Sequence, residues 1–146
     1  MSDHVKWDKR FLELAKHIST WSRDPSTKVG AVLVDSDRRV TSVGYNGFPK
    51  YVRDDVGRYA DRELKLKMIV HAERNALLFA HDTVSRTLYT WPFMPCSVCA
   101  GMIIQAGVMR VVAPQLPNEM NRWKEDTEIA RVMFEEADVE VVLYEE

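Results

Sequence analysis

Apolar and polar positions along this chain fall into blocks whose periods separate helices from strands. Trp7, Phe11, Leu14, Ala15 and Ile18 recur at three- and four-residue intervals, which predicts a first helix from Trp7 to Ser22. The stretch Ser22 to Ser26, containing Pro25, ends it. Val29 to Val34 is almost continuously apolar, Asp35 to Arg38 is turn-forming, and Val40 to Tyr45 is apolar again, so the three together predict a hairpin. Asn46 to Pro49 closes the second strand as a turn. The polar stretch Lys50 to Lys67 reads as part loop and part exposed helix, with the charge run Arg58 to Lys67 as its solvated face.

Beyond it, Ala72, Ala76, Leu77, Phe79 and Ala80 predict a buried helix over His71 to His81, and Thr87 to Trp91 predicts a short strand. Cys96 to Ala106 reads as a helix stopped by Gly107, Val108 to Ala113 as a buried strand, and Pro114 to Asn121 as a loop. Ile129, Val132, Met133 and Ala137 predict one face of a last helix, followed by a strand from Val139 to Tyr144 and an acidic tail. Strands linked by helices pair in parallel through crossover connections. The pattern therefore predicts an α/β fold, a three-layer α-β-α sandwich around a mixed sheet of about five strands.

Composition narrows the function classes. With 146 residues and 46% hydrophobic content the chain is expected to form a single domain over residues 1–146. A formal net charge of −2 supplies no basic field, so neither a nucleic-acid nor an anionic-membrane partner is expected, and a small substrate fits better. Apolar runs are only a handful of residues long and the N-terminus has no basic-then-apolar layout, which predicts a soluble, cytoplasmic protein. Its two cysteines, Cys96 and Cys99, lie in one short segment, a spacing that suits a shared metal in a reducing compartment.

The chemistry concentrates in two places. His71-Ala72-Glu73 opens one predicted helix and Pro95-Cys96-Ser97-Val98-Cys99 opens the next, so two helix N-termini are expected to face one point. Zinc takes nitrogen and thiolate ligands, and three protein ligands with a fourth position open to water characterise a catalytic site. His71, Cys96 and Cys99 supply that count; His4, His17 and His81 lack a zinc-finger spacing and read as ordinary residues. The positive ends of the two helices favour the deprotonated thiols that a metal requires. Bound zinc would polarise water toward hydroxide, and Glu73, two residues past His71, would act as the proton carrier, both base and acid.

His-x-Glu followed by Pro-Cys-x-x-Cys is the signature of zinc nucleobase deaminases, matched here by His71, Glu73, Pro95, Cys96 and Cys99. The chain resembles the cytidine deaminase superfamily and within it the deoxycytidylate (dCMP) deaminases. HAERNAL at His71 to Leu77, PCSVCAGMIIQAG at Pro95 to Gly107, SRDPSTKVGAVLVD at Ser22 to Asp35 and GYNGFP at Gly44 to Pro49 carry the resemblance over nearly the whole chain. It implies a cytidine deaminase-like fold and hydrolysis of dCMP to dUMP and ammonia, feeding thymidylate synthesis. Asn46 would contact the sugar and the Ala72 backbone amide the pyrimidine carbonyl. It also implies a homo-oligomer, hexamers being common among relatives. Free-cytidine deaminases usually have Cys at the position of His71, and transfer-RNA adenosine deaminases lack GYNGFP and tend to be basic.

Several alternatives stay open on the residues alone. They are dCTP or CMP as substrate, another amino-heterocycle such as guanine or transfer-RNA adenosine, and a zinc-stabilised scaffold without turnover. A phosphate needs a cation, and Arg23 and Lys28 lead toward the site. Trp91 and Phe93 precede the metal motif and either pack in the core or stack on the base. The lead-in Trp91 to Met94 departs from the small residues expected of the family. The insert Lys50 to Lys67, with Arg53, Asp54, Asp55, Arg58 and Arg62, lies where relatives carry regulatory contacts and sometimes an extra metal. It has no cysteine to hold one.

Overall fold

The computed structural model describes residues 2–117 and 124–145. Helix α1 (Asp3–Ser19) precedes a hairpin of β1 (Gly30–Val34) and β2 (Val40–Tyr45). Two short helices, α2 (Val56–Ala60) and α3 (Arg62–Met68), occupy the polar insert. Then follow α4 (Ala72–Leu78), β3 (Thr87–Trp91), α5 (Ser97–Gln105), β4 (Arg110–Pro114), α6 (Lys124–Glu136) and β5 (Glu140–Tyr144). The five strands form one sheet in the order β2-β1-β3-β4-β5. β1 is antiparallel to β2 and β3, whereas β3, β4 and β5 run parallel. The helix-linked pairs β3/β4 and β4/β5 are therefore parallel neighbours, while β2 and β3, linked through α4, share a direction with β1 between them.

The continuous apolar runs have a simple cause, because both faces of the sheet are covered. Ala31, Leu33, Leu88, Val111 and Ala113 face a core built with α4, α5 and α6. Their neighbours Val32, Val34, Tyr89 and Val112 face the other core, built with α1. This two-residue alternation makes the predicted three-layer sandwich. Gly44 shows how closely α4 lies on β2: a Cβ there would come within 2.4 Å of the Ala72 carbonyl oxygen and 2.5 Å of the Ala76 nitrogen. Ser42 Oγ donates to the Ala76 carbonyl at 2.7 Å and Asn75 Nδ2 to the Tyr45 carbonyl at 2.8 Å, fixing α4 along the strand. Gly107, after α5, adopts φ 82°, a left-handed stop that glycine takes without strain.

Some expectations shift. α1 begins at Asp3 because the Ser2 hydroxyl caps it, accepting from Val5 N at 3.3 Å. α6 turns a different face inward: Ala130 and Phe134 are buried, Met133 packs partly, and Ile129, Val132 and Ala137 are exposed. Phe134, among the largest fully buried side chains, sets that register. α4 ends at Leu78, and Phe79 is exposed. The loop predicted from Pro114 to Asn121 lies outside the described residues from position 118 on.

A buried polar cluster ties α1 to the sheet. Asp8 accepts from Tyr89 Oη at 2.7 Å, from Tyr144 Oη at 2.6 Å and from Arg110 Nη1 at 2.8 Å. Burial alone raises this carboxyl, but the bonds from Arg110, Tyr144 and Tyr89 outweigh it and hold Asp8 below its usual 3.8.

Candidate active site

His71 and Cys96 occupy equivalent places, each the N-cap of its helix, α4 and α5, and neither caps with its side chain. Both side chains are thus free to face the gap between the helix starts, and Cys99, one turn into α5, joins them. The ligand atoms of His71, Cys96 and Cys99 lie within 4.8 Å of one another. His71 Nδ1 faces both sulfurs, at 3.2 Å from Cys99 Sγ and 3.7 Å from Cys96 Sγ. Tetrahedral zinc with ordinary Zn–N and Zn–S bonds separates its ligands by about 3.5 Å, so spacing and donor chemistry both fit this metal.

The electrostatics agree. The hydrogen bond from Cys99, with help from His71 and against burial, lowers the Cys96 thiol to about 4. The same bond and burial push Cys99 up, and a divalent cation between the two sulfurs would favour both as thiolates. Hydrogen bonding to Cys96 raises His71 against its own burial. Glu73, in the first turn of α4, is only 5% exposed; burial raises its carboxyl, with His71 pulling the other way. Arg74 beside it is a half-buried guanidinium whose Nε has no hydrogen-bond partner among the described residues.

These groups open onto a cavity bordered by His71, Ala72, Glu73 and Cys96 at one end. Thr27, Val29 and Asn46 form one wall, Arg62, Lys65, Leu66 and Ile69 a second, and Phe93, Met94, Leu116, Asp126 and Thr127 a third. Asn46 is buried and heavily used: its Oδ1 accepts from Val29 N at 2.9 Å and its Nδ2 donates to the Thr27 carbonyl at 2.8 Å. An amide oxygen has a second lone pair, which leaves Asn46, on the cavity border, one acceptor site unused among the described residues. Ala72 presents a backbone N–H from the first turn of α4, where no intrahelical acceptor exists.

The sequence-predicted residues divide clearly. His71, Ala72, Glu73, Cys96, Asn46 and Phe93 border the cavity, and Cys99 completes the cluster. Arg23, Lys28 and Trp91 do not border it. The Arg23 guanidinium lies 3.5 Å from Asp54 with its side chain 75% exposed, and Lys28 Nζ donates to the Ser22 carbonyl at 2.6 Å. Trp91 instead packs against the α1 core, with Lys16 Nζ 5.6 Å from its ring centre.

Four bordering residues, Lys65, Asp24, Arg62 and Asp126, were not among the residues the sequence marked for the site. Lys65, read within a solvated face, is buried: its ammonium lies 2.7 Å from Asp24 and donates to Ser26 Oγ at 3.0 Å. Asp24 has no exposed side-chain surface, and pairing with Lys65 plus bonds from Ser26 and Thr27 holds it below the usual value despite burial. Arg62 stands on the same face of α3. Asp126 reaches from α6 to accept from Ser97 N at 2.9 Å and Ser97 Oγ at 2.6 Å, bracing the turn between the two cysteines. A carboxylate in the first turn of a helix was the available signal for Asp126, but nothing in the sequence named its partner.

Comparison with known proteins agrees with this geometry. Residues 5–115 match the family model described as the cytidine and deoxycytidylate deaminase zinc-binding region. An uncharacterized deaminase in the luxG 3′ region of Aliivibrio fischeri is 40% identical over 137 residues, covering 93% of this chain and 92% of that protein. Deoxycytidylate deaminase of Mus musculus is 33% identical over 144 residues, covering 94% of this chain and 79% of the relative. Among solved structures, dCMP deaminase from the cyanophage S-TIM5 in complex with dCMP and dUMP superposes with a TM-score of 0.75 at 23% identity. That match covers 98% of both chains and shows the shared fold. A His-Cys-Cys cluster at paired helix starts, on this sheet order and with these relatives, places the chain in the cytidine and deoxycytidylate deaminase family.

Proposed function

We propose that this protein is a zinc-dependent hydrolase that converts dCMP and water to dUMP and ammonia. The observation that carries the proposal is the convergence of His71, Cys96 and Cys99 beside a buried Glu73 on the border of one cavity. Kinship with proteins described as deoxycytidylate deaminases supports the substrate.

His71 through Nδ1, with Cys96 and Cys99 as thiolates, would hold the zinc. When bound, zinc supplies Lewis acidity that makes water a usable nucleophile near neutral pH. The chain's own residues do the rest. Glu73 takes a proton from the attacking water and gives it to the ring nitrogen; a second transfer through the same carboxyl protonates the departing amine. A C–O bond forms at the amino-bearing carbon, its C–N bond breaks, and Glu73 ends as it began. Burial suits Glu73 to this, since a raised carboxyl accepts and releases protons nearer neutral pH. The Ala72 N–H would hold the pyrimidine carbonyl and the free acceptor site of Asn46 a sugar hydroxyl. Phe93 and Met94 shield the base from water.

The chain is read as one domain, since one sheet carries both cores. A homo-oligomer is supported by apolar side chains left exposed on α4 and α5: Leu78, Val98 and Met102. Two unpaired cysteines fit a reducing, cytoplasmic setting. Among the described residues no helix is long and apolar enough to cross a membrane. Ammonia release by zinc-loaded protein across cytidine, CMP, dCMP, dCTP, adenosine and guanine tests the substrate assignment. Turnover with dCMP foremost is expected; turnover confined to a purine, or to none of them, would sink it.

A further inference from the structure

Apart from the metal cluster and Glu73, the charged side chains bordering the cavity among the described residues are Asp24, Lys65, Asp126 and Arg62. The first three are already committed. Lys65 and Asp24 neutralise each other at 2.7 Å, and both oxygens of Asp126 accept from Ser97. Arg62 alone of the four has no hydrogen bond or ion pair among the described residues, and it is exposed.

Its position along the cavity is set by α3. Lys65 and Leu66 lie three and four residues after Arg62, Ile69 lies four and three after them, and all four border the cavity, so one side of α3 and its C-cap forms a wall. Ile69 is buried two residues before His71, at the metal end. At the rise of an α-helix, Arg62 stands about 10 Å along the axis from Ile69, at the solvent end. In a cytosine nucleotide the reacting amino carbon lies across the ring from the sugar, and the 5′-phosphate lies beyond the sugar. A base inserted amine-first toward His71 and Glu73 therefore leaves its phosphate pointing outward, toward the side of the cavity that ends in Arg62.

We propose that the Arg62 guanidinium receives the 5′-phosphate and makes this cavity select nucleotides over nucleosides, an inference that rests on reading the cavity as a cytosine-nucleotide site. A phosphate monoester carries close to two negative charges near neutral pH, and a guanidinium offers it paired donors in a plane. Lys65 contributes differently. Its charge is cancelled by Asp24, so it fixes the wall from which Arg62 projects. An exposed, unpaired arginine loses no existing partner when it turns onto the phosphate.

The test reads binding without turnover. Dissociation constants of dCMP and deoxycytidine are measured by calorimetry on zinc-loaded Glu73→Gln protein, alone and combined with Arg62→Ala or Arg62→Lys. The quantity of interest is the ratio of the two affinities, which cancels any general damage to the cavity. A preference for dCMP that falls by about 10- to 100-fold in Arg62→Ala, the size of one charge-assisted contact, and survives in part in Arg62→Lys is the expected result. A ratio that Arg62→Ala leaves within about twofold, or no preference for dCMP before that substitution, overturns the proposal. Failure of the deaminase reading shows elsewhere, as absence of ammonia release from dCMP by the unsubstituted zinc-loaded protein.

Discussion

Replacing Asp126 by alanine is expected to loosen the metal site although Asp126 is not among the candidate ligands. Cys96 caps α5 with its backbone only, so the amide of Ser97 at the first helical position has no intrahelical acceptor, and the carboxylate of Asp126 supplies one at 2.9 Å. The second oxygen takes the Ser97 hydroxyl at 2.6 Å. A charge-assisted bond of this kind contributes about 1.5–3 kcal/mol, and stranding a partly buried N–H costs at the upper end of that range. The strained element would be the turn that carries Cys96 and Cys99, so part of the loss falls on ligand positioning. Outer groups that orient a metal's ligands typically matter by about 10- to 100-fold in affinity. The measurement is zinc affinity at pH 7 by competition with a chromophoric chelator, on wild type, Asp126→Ala and Asp126→Asn, with circular dichroism to show that the fold persists. Asparagine keeps one acceptor oxygen and should fall between the other two. Wild-type zinc affinity in a folded Asp126→Ala protein would refute the reasoning, because the brace would then have no influence on the turn it holds.

The Asp8 cluster should govern global stability and leave the site alone, since it lies on the α1 side of the sheet. Asp8→Ala leaves Arg110, whose side chain is 6% exposed, with only its longer contact to Glu140 at 3.8 Å, and should cost about 3 kcal/mol in urea unfolding; a loss under about 1 kcal/mol would show that Glu140 and solvent replace Asp8 as its partner. Asp8 and Asp24 are both held below the usual 3.8, so the stability they confer is present above that pH and is lost as pH falls through their lower native values. Unfolding free energy followed from pH 6 downward should therefore drop below about pH 4, and by less in Asp8→Asn protein. Lys65→Met leaves Asp24 buried without its cation and should be strongly destabilising, with Asp24→Asn/Lys65→Met recovering most of the loss. Equal stability of the single and double variants would contradict that pairing.

How much of this was legible in the sequence depends on how local each cause is. The strands could be read because residues such as Val32 and Leu33 are both buried, one on each face, and leave a continuous apolar run. His71, Glu73, Cys96 and Cys99 could be read because metal and proton chemistry restricts residue types at short spacings. The face of α6 was misread because Ile129 and Val132 offer a second apolar stripe one step from Ala130 and Phe134, and only the core decides between them. Lys65 was missed because its partner, Asp24, belongs to a loop before β1, and a charge run looks solvated until its counter-ion is found. Arg23 and Lys28 were favoured for a phosphate by closeness in the chain to the site's strands. Arg62 lies on the cavity because a short helix from the insert folds over it.

In the proposed reaction, zinc held by His71, Cys96 and Cys99 and a proton carried by Glu73 together hydrolyse a cytosine nucleotide. The most direct measurement is dUMP formation from dCMP by wild-type and Glu73→Gln protein, with zinc content determined on the same samples. One zinc per chain is expected in both, with a rate lower by about 10²- to 10⁴-fold in Glu73→Gln. Equal rates, or a wild-type protein that binds no zinc, would exclude this mechanism.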